Sequence, residues 1–483
     1  MRPNIFLTRY LLVPAATAIY LLSSQSTLQA ATRYVNNRVA ISGDGSLNAP
    51  WKTLQEGISN LSPGDTLLIR GDSVGQIYDE TLSLSVSGAA MQPITLKAHP
   101  NEKVILTGTS GTRLNLNRDS WILDGLIIDQ ANIASDAIKI NASNITIRNS
   151  EIRNGQREGI AIEKASFVTI EDSYIHDFMW ISSTGTRNDA HCIMIDTGLS
   201  STITDIKIHR NTIEKCSGDG TQIFGVTGQP ISTYAKNIEF VDNTFLEGTS
   251  TSGITENALD FKAADTVLIK GNTMTGYKNN KTIVIQKGSR NITIEKNTIS
   301  NGLSGIEMRQ EGGASFIQEN QRMTGNIIHH MSSFAIKLDG TLNVTITNNT
   351  LADIGAESFR FESSLGSSIP SVNGGLIKNN LFYKAGGAPT GTSLLSNVDV
   401  GHNGWFQSVA SGLSRTTDTT GSDPLFVNPL SGNYRLTAGS PVIDQGTGVG
   451  LPFIGPAPDL GALEFNPGGD ATPPAPPSGL IVK

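Results

Sequence analysis

Residues 252–262 read SGITENALDFK, and the end of this stretch carries the pattern that decides the fold. Leu259 and Phe261 alternate there with Asp260 and Lys262, which gives a short strand one apolar face and one charged face. The same pattern recurs in the middle of the chain, at residues 136–141, 158–163, 191–196, 219–224, 281–286, 304–309 and 334–339. Most copies precede a second phrase that ends in Asn-Thr-Ile or a near variant. This internal repeat predicts a solenoid of stacked β coils.

An asparagine recurs at one position of the repeat, directly after a strand such as IEFVD or ITIEK. The position is held by Asn211, Asn243, Asn272, Asn297, Asn326, Asn349 and Asn380, and in two earlier coils by Ser150 and Ser173. An asparagine tolerates a left-handed backbone and can stack its amide on the asparagine of the next coil. We therefore expect an interior asparagine ladder at a turn.

The composition favours an all-β protein and excludes one class of partner. Among 483 residues there are 50 glycines, charged residues make up only 16%, and helical blocks rich in Ala, Glu, Lys and Leu are absent beyond the N-terminal region. The formal net charge is −7, and no stripe of basic residues is present, which argues against a nucleic-acid partner. An acidic ligand would need a local cluster of cations.

Residues 1–30 have the features of a secretory signal peptide. Arg2 and Arg9 precede the apolar run of residues 10–22, and small and polar residues follow as far as Ala30. The alternative is a membrane anchor, although the apolar run is short for a membrane span and contains Pro14. We expect a secreted or periplasmic protein, a monomer that is not attached to a membrane once the signal is removed.

The chain divides into four parts after the signal. Residues 31–115 are expected to form an N-terminal cap and the first coils, because Trp51, Leu54, Ile58 and Leu61 share one face of a short amphipathic helix. Residues 116–400 are the solenoid core, and residues 401–466 form an irregular closing segment. Residues 467–483 are a Pro-rich tail or linker.

Segments at both ends of the chain resemble one group of proteins. The opening phrases APWKTLQEGI, PGDTLLIRGD, PITLKA and VILTG, and the closing phrases DPLFVNPLSGNYRL, AGSPVIDQG and APDLGALEF, resemble secreted right-handed parallel β-helix proteins. Polysaccharide lyases of the pectate, alginate and chondroitin type are prominent in that group. The resemblance covers most of residues 32–466 and implies an all-β, right-handed parallel β-helix with an N-terminal helical cap. It indicates architecture more strongly than activity, because many chemistries share this scaffold.

Stacking the repeats places equivalent residues of neighbouring coils about 4.8 Å apart, so outward-facing columns can be predicted. The first column is Asp136, Glu158, His191, Asp219, Asn257, Lys281 and Ser304. The second is Lys139, Ala161, Met194, Gln222, Asp260, Val284, Glu307 and Lys337. The third is Asn141, Glu163, Asp196, Phe224, Lys262, Gln286, Arg309 and Asp339. His, Asp and Lys side chains concentrate in the middle of this face, beside the long loops at residues 179–191.

This cluster suits β-elimination on a polysaccharide that contains uronic acid. Such a reaction needs a base for the proton next to the carboxylate and a cation that stabilises the enolate-like charge. Lys262 is the predicted base, and Arg309 or Lys281 is the predicted neutralising cation, with His191 in the same groove. Asp219, Asp260 and Glu256 are predicted oxygen ligands for Ca²⁺. These roles come from spacing alone, because no lyase signature matches closely enough to transfer residue by residue.

Several alternatives remain open at this point. Lys262 and Asp260 could be a surface ion pair without function, and Asp189 is expected to form a turn more than to bind metal. A glycoside hydrolase needs two carboxyls at a defined separation, and the coil geometry places Asp219 and Asp260 roughly 11 Å apart, slightly too far. An epimerase or a non-catalytic, carbohydrate-binding surface protein would use the same scaffold.

Cys192 and Cys216 are the only cysteines, and their spacing fits no zinc site. They could form a disulfide in an exported protein. However, they occupy positions in the repeat that differ by about four residues, so the sequence leaves their pairing undecided.

Overall fold

The computed structural model describes residues 30–198, 203–248, 255–311, 317–364 and 370–468. Residues 1–29 of the predicted signal peptide and most of the Pro-rich tail lie outside these residues. Within them, no helix is both long and apolar enough to span a membrane.

Three long sheets form the body of the described structure, and each coil from Thr66 to Glu362 adds one strand to every sheet in turn. Sheet A has 14 strands: Thr32–Val35, Thr66–Ile69, Ile94–Ala98, Trp121–Asp124, Ile145–Arg148, Ser166–Glu171, Thr204–His209, Ala235–Val241, Ala264–Lys270, Arg290–Glu295, Gln318–Thr324, Thr341–Thr347, Val372–Lys378 and Leu395–Gly401. Sheet B has 11 strands: Leu82–Ser83, Leu114–Leu116, Ile138–Ile140, Ile160–Glu163, Ile193–Asp196, Thr221–Phe224, Leu259–Lys262, Lys281–Gln286, Ser304–Arg309, Ile336–Asp339 and Phe359–Glu362. Sheet C has 14 strands: Gln76–Asp79, Val104–Thr107, Ile127–Asp129, Glu151–Gly155, Tyr174–Phe178, Thr212–Cys216, Thr244–Leu246, Thr273–Thr275, Thr298–Ser300, Ile327–Met331, Thr350–Ile354, Leu381–Tyr383, Gly404–Phe406 and Thr419–Thr420.

Successive coils pair in parallel in all three sheets, as the repeat predicted. Leu259 and Phe261 align with Ile283 and Ile285 of the next coil, for example. All four side chains are fully buried. The alternation of apolar and polar residues therefore points every second side chain of a strand into one continuous core. The fold is a parallel β-helix.

A short helix, Leu54–Ser59, lies near the start of the β-helix. The Thr53 side chain caps its N-terminus by accepting a hydrogen bond from the Glu56 backbone N–H at 3.2 Å. The residues predicted to share its apolar face, including Trp51 and Leu61 beside it, are all buried. The helix has only six residues, and its role as a cap remains a prediction.

The asparagine ladder is confirmed and runs through the interior. The Asn243 side-chain oxygen accepts a hydrogen bond from the Asn211 backbone N–H at 2.9 Å, and the Asn272 oxygen accepts from Asn243 at 2.9 Å. The ladder continues one coil beyond the prediction, to Asn403, whose side-chain oxygen accepts a hydrogen bond from the Asn380 N–H at 2.9 Å. Each buried side-chain amide thus provides a hydrogen-bond acceptor for the backbone N–H at the turn of the coil before it.

One detail of the ladder prediction is wrong. The left-handed residue is the one before each ladder asparagine, such as Arg210, Asp242 or Lys296, with φ between 55° and 56°. The physical reason is the direction of the side chain. The residue with the left-handed backbone turns the chain at the end of the strand. The asparagine that follows has a negative φ, and its side chain points into the interior.

Cys192 and Cys216 form a disulfide, with their Cα atoms 5.5 Å apart. Cys192 lies just before the strand Ile193–Asp196 of sheet B, and Cys216 ends the strand Thr212–Cys216 of sheet C. The difference of four residues in repeat position therefore does not separate them, because the bond runs from the end of a sheet C strand to the start of a sheet B strand in the adjoining coil.

The closing segment folds back along the β-helix. It contains an antiparallel strand pair, Phe426–Asn428 with Asn433–Leu436. A second short antiparallel pair, Trp180–Ile181 with Arg187–Asn188, lies in the middle of the chain, between the strands Tyr174–Phe178 and Ile193–Asp196. The described segments also contain three 3₁₀ turns, at Ile231–Thr233, Thr392–Leu394 and Pro429–Ser431.

Candidate functional site

The three predicted columns are present on the outer face of sheet B. Gln222 aligns with Asp260, Asp260 with Val284, and Val284 with Glu307 on the following coils. In the adjacent column, Lys262 aligns with Gln286 and Gln286 with Arg309. The repeat alignment that placed these side chains together is therefore confirmed by the strand register.

A cleft of about 240 Å³ opens on this face. Its lining is strongly polar and includes both signs of charge: Glu256, Asn257, Asp260, Lys262, Asn280, Val284, Gln286, Lys287, Arg309 and Glu311. Four of the predicted site residues thus meet at one cleft, namely Lys262, Arg309, Asp260 and Glu256. Lys281, His191 and Asp219 are not part of its lining.

Lys262 and Asp260 form an ion pair at the cleft wall, with Nζ 3.0 Å from Oδ2. Burial alone would lower the pKa of Lys262, but the carboxylates of Asp260, Asp219 and Glu256 together outweigh burial, so the pKa lies above its ordinary value. Burial and the negative charge of Asp219 raise the pKa of Asp260 to about 6. Lys262 therefore carries its proton at neutral pH.

Asp219 and His191 lie beneath the cleft. Asp219 is fully buried, and its Oδ1 accepts a hydrogen bond from the Asn257 side chain at 2.8 Å. His191 bridges two carboxylates, with Nδ1 3.0 Å from Glu158 and Nε2 3.4 Å from Asp219. Burial opposes the charged imidazolium, but the two carboxylates outweigh it and raise the pKa of His191 to about 10. His191 is thus a charged residue held in the wall, and it has no access to a substrate in the cleft.

The expected separation of Asp219 and Asp260 is wrong. The side-chain nitrogen of Gln222 lies 2.7 Å from Oδ2 of Asp219 and 3.4 Å from Oδ2 of Asp260, so the carboxylates approach much closer than 11 Å. The backbone estimate failed because both side chains lean toward the amide between them. The distance between the two carboxyls therefore no longer argues against hydrolysis. The burial of Asp219 does, because a side chain that is 0% exposed cannot contact a glycosidic bond.

Glu256 is anchored by Arg187, which comes from the loop before His191. Nη1 of Arg187 lies 3.3 Å from Oε2 of Glu256, 3.3 Å from Oδ1 of Asp189 and 2.6 Å from the Ser217 carbonyl oxygen. Burial and the nearby Asp219 charge raise the pKa of Glu256. The sequence did not predict this role of Arg187, because the contact joins residues 69 positions apart.

Glu307 gathers three cations beside the cleft. Its carboxylate lies 3.3 Å from Nε of Arg309, 3.5 Å from Nζ of Lys281 and 3.3 Å from Nζ of Lys337. Burial opposes ionisation of Glu307, but these cations outweigh it and lower its pKa. Lys337 also pairs with Glu362 at 2.7 Å, so charges of both signs surround Arg309, whose side chain lines the cleft.

The predicted calcium ligands do not converge on one point. Asp219 is enclosed by Asn257, Gln222 and His191, while Asp260 and Glu256 are held by Lys262 and Arg187. Among the described residues, no three His, Cys, Asp or Glu side chains are grouped so as to hold a metal ion. As arranged, these residues do not fit a preformed calcium site, and we assign no reaction step to calcium. The calcium requirement remains a prediction from the sequence.

Comparison with known proteins supports the architecture. Residues 33–212 match the family model of the Pel9A-like right-handed β-helix region, and residues 257–420 match that of the right-handed β-helix region. A curated relative, the uncharacterized protein YwoF of Bacillus subtilis (strain 168), is 26% identical over 161 residues. That alignment covers 33% of this chain and 31% of the relative, so the match spans less than a third of the relative's length.

Two solved structures share the fold at low identity. The PL6 family polysaccharide lyase Pedsa3628 from Pseudopedobacter saltans has a TM-score of 0.52 and 14% identity, with 77% of this chain and 92% of that chain covered. The surface protein and adhesin PfbA of Streptococcus pneumoniae has a TM-score of 0.52 and 13% identity, covering 72% and 95%. At such identities the likeness concerns the fold, which a lyase and an adhesin share equally. The chain is a right-handed parallel β-helix protein, similar to β-helix proteins of the polysaccharide lyase type.

Proposed function

We propose that the protein is an exported lyase that cleaves an acidic polysaccharide by β-elimination at the cleft of sheet B. The observation that carries the proposal is the placement of Lys262 and Arg309 on one cleft, in one column and two coils apart. Two coils correspond to roughly 10 Å, enough for a sugar ring between the two cations. The similarity to polysaccharide lyases supports this choice among the chemistries that the scaffold hosts.

In the proposed reaction, Arg309 binds the carboxylate of a uronic acid residue and stabilises the negative charge that develops beside it. Lys262 in its neutral form removes the proton next to that carboxylate. The electron pair of the broken C–H bond forms a C=C bond, and the bond to the leaving oxygen breaks. The leaving oxygen takes a proton from solvent and the Lys262 ammonium returns its proton to solvent, which yields an unsaturated uronide and a new chain end.

The raised pKa of Lys262 has a direct consequence for this mechanism. Only the neutral amine can act as a base, and the charges of Asp260, Asp219 and Glu256 all favour the ammonium form. The neutral fraction therefore increases with pH into the alkaline range. We infer that the enzyme is more active at alkaline than at neutral pH.

The test uses a panel of polysaccharides that contain uronic acid, such as pectate, alginate and glycosaminoglycans. Elimination produces an unsaturated uronide that absorbs in the ultraviolet, whereas hydrolysis does not. We expect absorbance to increase with at least one polymer, and Lys262→Ala and Arg309→Ala each to reduce the rate by about 100-fold or more. Glu295→Gln, at an ion pair with Lys270 on sheet A, is the matched control and should keep full activity.

A second candidate function is non-catalytic binding of an acidic carbohydrate at the same cleft. The specific observation in its favour is that Lys262 is protonated and paired with Asp260 at rest. Binding of the polymers without any unsaturated product, and without new reducing ends, would favour this function over elimination and over hydrolysis.

A further inference from the structure

The column that carries Lys262 and Arg309 also contains one aromatic residue. Phe224 ends the strand Thr221–Phe224 and occupies the coil directly before Lys262. Its side chain is half-buried, and Nζ of Lys262 lies 5.9 Å from the centre of its ring. An aromatic ring is thus presented on the outer face of sheet B, at the edge of the proposed reaction site.

Phe224 is not explained by packing of the interior. Ile223, the residue before it, is fully buried in the main core, whereas Phe224 points to the opposite face of the sheet. Its column neighbours are polar or charged: Asp196 on one side, and Lys262, Gln286 and Arg309 on the other. An apolar ring in a polar column is a surface that a ligand with an apolar face can cover.

A sugar ring has such a face. The C–H groups on one side of a pyranose pack against a flat aromatic ring, while its hydroxyl and carboxyl groups point outward to polar partners. The coils are about 4.8 Å apart, which is close to the length of one sugar ring. A glycan that lies along the β-helix axis would therefore place one ring on each coil. The reacting uronic acid ring would then lie at Gln286, between Lys262 and Arg309.

We propose that Phe224 is the aromatic platform of a sugar-binding subsite beside Lys262, and that an acidic glycan lies along the axis from Phe224 past Lys262 and Gln286 to Arg309. This inference rests on the proposed function and specifies its substrate as an oligomer of at least four sugar rings. Phe224 binds the substrate without taking part in the bond changes. Its loss should therefore affect affinity more than turnover.

The test compares wild type with Phe224→Ala, Phe224→Tyr and the control Phe167→Ala, which removes an exposed ring from sheet A. Binding of uronic acid disaccharides and tetrasaccharides is measured by calorimetry, and kcat and KM by ultraviolet absorbance. For Phe224→Ala we expect about tenfold weaker binding and a similar increase in KM for the tetrasaccharide, with kcat within threefold. Phe224→Tyr and Phe167→Ala should keep wild-type values, and thermal unfolding of all variants should remain cooperative.

The outcomes separate this inference from the function on which it rests. If wild type and Phe224→Ala bind tetrasaccharides equally well, the role of Phe224 as a platform is refuted, and the proposed function is unaffected. If Phe224→Tyr loses as much affinity as Phe224→Ala, a stacking role is also refuted. If wild type binds no uronic acid oligosaccharide, the proposed function fails, and the platform fails with it. A decrease in kcat without a change in KM would show that Phe224 only orients Lys262, which contradicts the proposal.

Discussion

Asp260 and Lys262 lie on the same face of one strand, and their ion pair of 3.0 Å sets the protonation state of the proposed base. Asp260 favours the ammonium form of Lys262, so removing its charge should lower the pKa of Lys262. In Asp260→Asn, the rising limb of kcat/KM against pH should therefore move to lower pH, so that kcat/KM relative to its plateau is higher at each pH below that plateau. Measurements should stay below pH 10, the approximate pKa of the buried His191. A profile that stays in place would show that Lys262 is not the group that titrates.

The calcium requirement predicted from the sequence can be tested on the same profile. Calcium near Asp260 would cancel part of the negative charge beside Lys262. Under this prediction, a chelator should move the rising limb of kcat/KM to higher pH, and added Ca²⁺ should return the limb to its original position. The control is Asp260→Asn, whose profile should respond less. Identical wild-type profiles with and without chelator would contradict the requirement and agree with the absence of a preformed cluster among the described residues.

Asn272 is a central member of the interior ladder. Its side-chain nitrogen donates to Asn297 Oδ1 at 2.9 Å and to the Phe240 carbonyl oxygen at 2.8 Å, and its oxygen accepts from the Asn243 N–H at 2.9 Å. Asn272→Leu leaves these buried groups without partners, so the free energy of unfolding should fall by roughly 1–3 kcal/mol. Denaturant unfolding provides the measurement.

The matched control for the ladder is Asn115→Leu. Asn115 occupies the middle of the strand Leu114–Leu116 and points outward. This substitution should change the free energy of unfolding by less than about 0.5 kcal/mol. Equal losses in the two variants would mean that asparagine is not needed at the ladder for its hydrogen bonds.

The pair of His191 with its two carboxylates predicts a pH-dependent stability. Because the folded pKa of His191 is raised from 6.5 to about 10, its contribution is fully present below pH 6.5 and is lost as pH rises through about 10. The difference in unfolding free energy between wild type and His191→Gln should therefore shrink across that window. A difference that stays constant with pH would show that His191 is neutral in the folded protein.

The repeat made the fold and the columns predictable, because a parallel β-helix turns regular spacing in sequence into regular spacing in space. Leu259 and Phe261 point inward and Asp260 and Lys262 outward for the same reason: a strand alternates its faces. The direction in which a long side chain leans does not follow from this rule. For that reason the sequence did not show that Gln222 draws Asp219 and Asp260 together.

Contacts made by segments between the coils also could not be predicted from the sequence. Arg187 reaches Glu256 from a short antiparallel strand pair that lies outside the three sheets, so the spacing of the coils did not apply to it. The disulfide was undecided for a similar reason: Cys192 and Cys216 belong to strands of two different sheets in adjoining coils, and repeat positions describe neighbours along a single sheet.

The asparagine ladder makes the coil a unit that can be removed or duplicated. The side chain of each ladder residue forms hydrogen bonds only within its own coil and with the adjoining coils. The deletion of residues 273–297 would therefore bring Asn272 against Asn326 with the same bonding pattern. The cleft has no such freedom, because its walls come from several consecutive coils whose side chains all differ. Coils gained or lost outside the cleft would lengthen or shorten the molecule and leave the cleft unchanged. A single coil gained or lost within the cleft would produce a different binding surface on an equally well-formed scaffold.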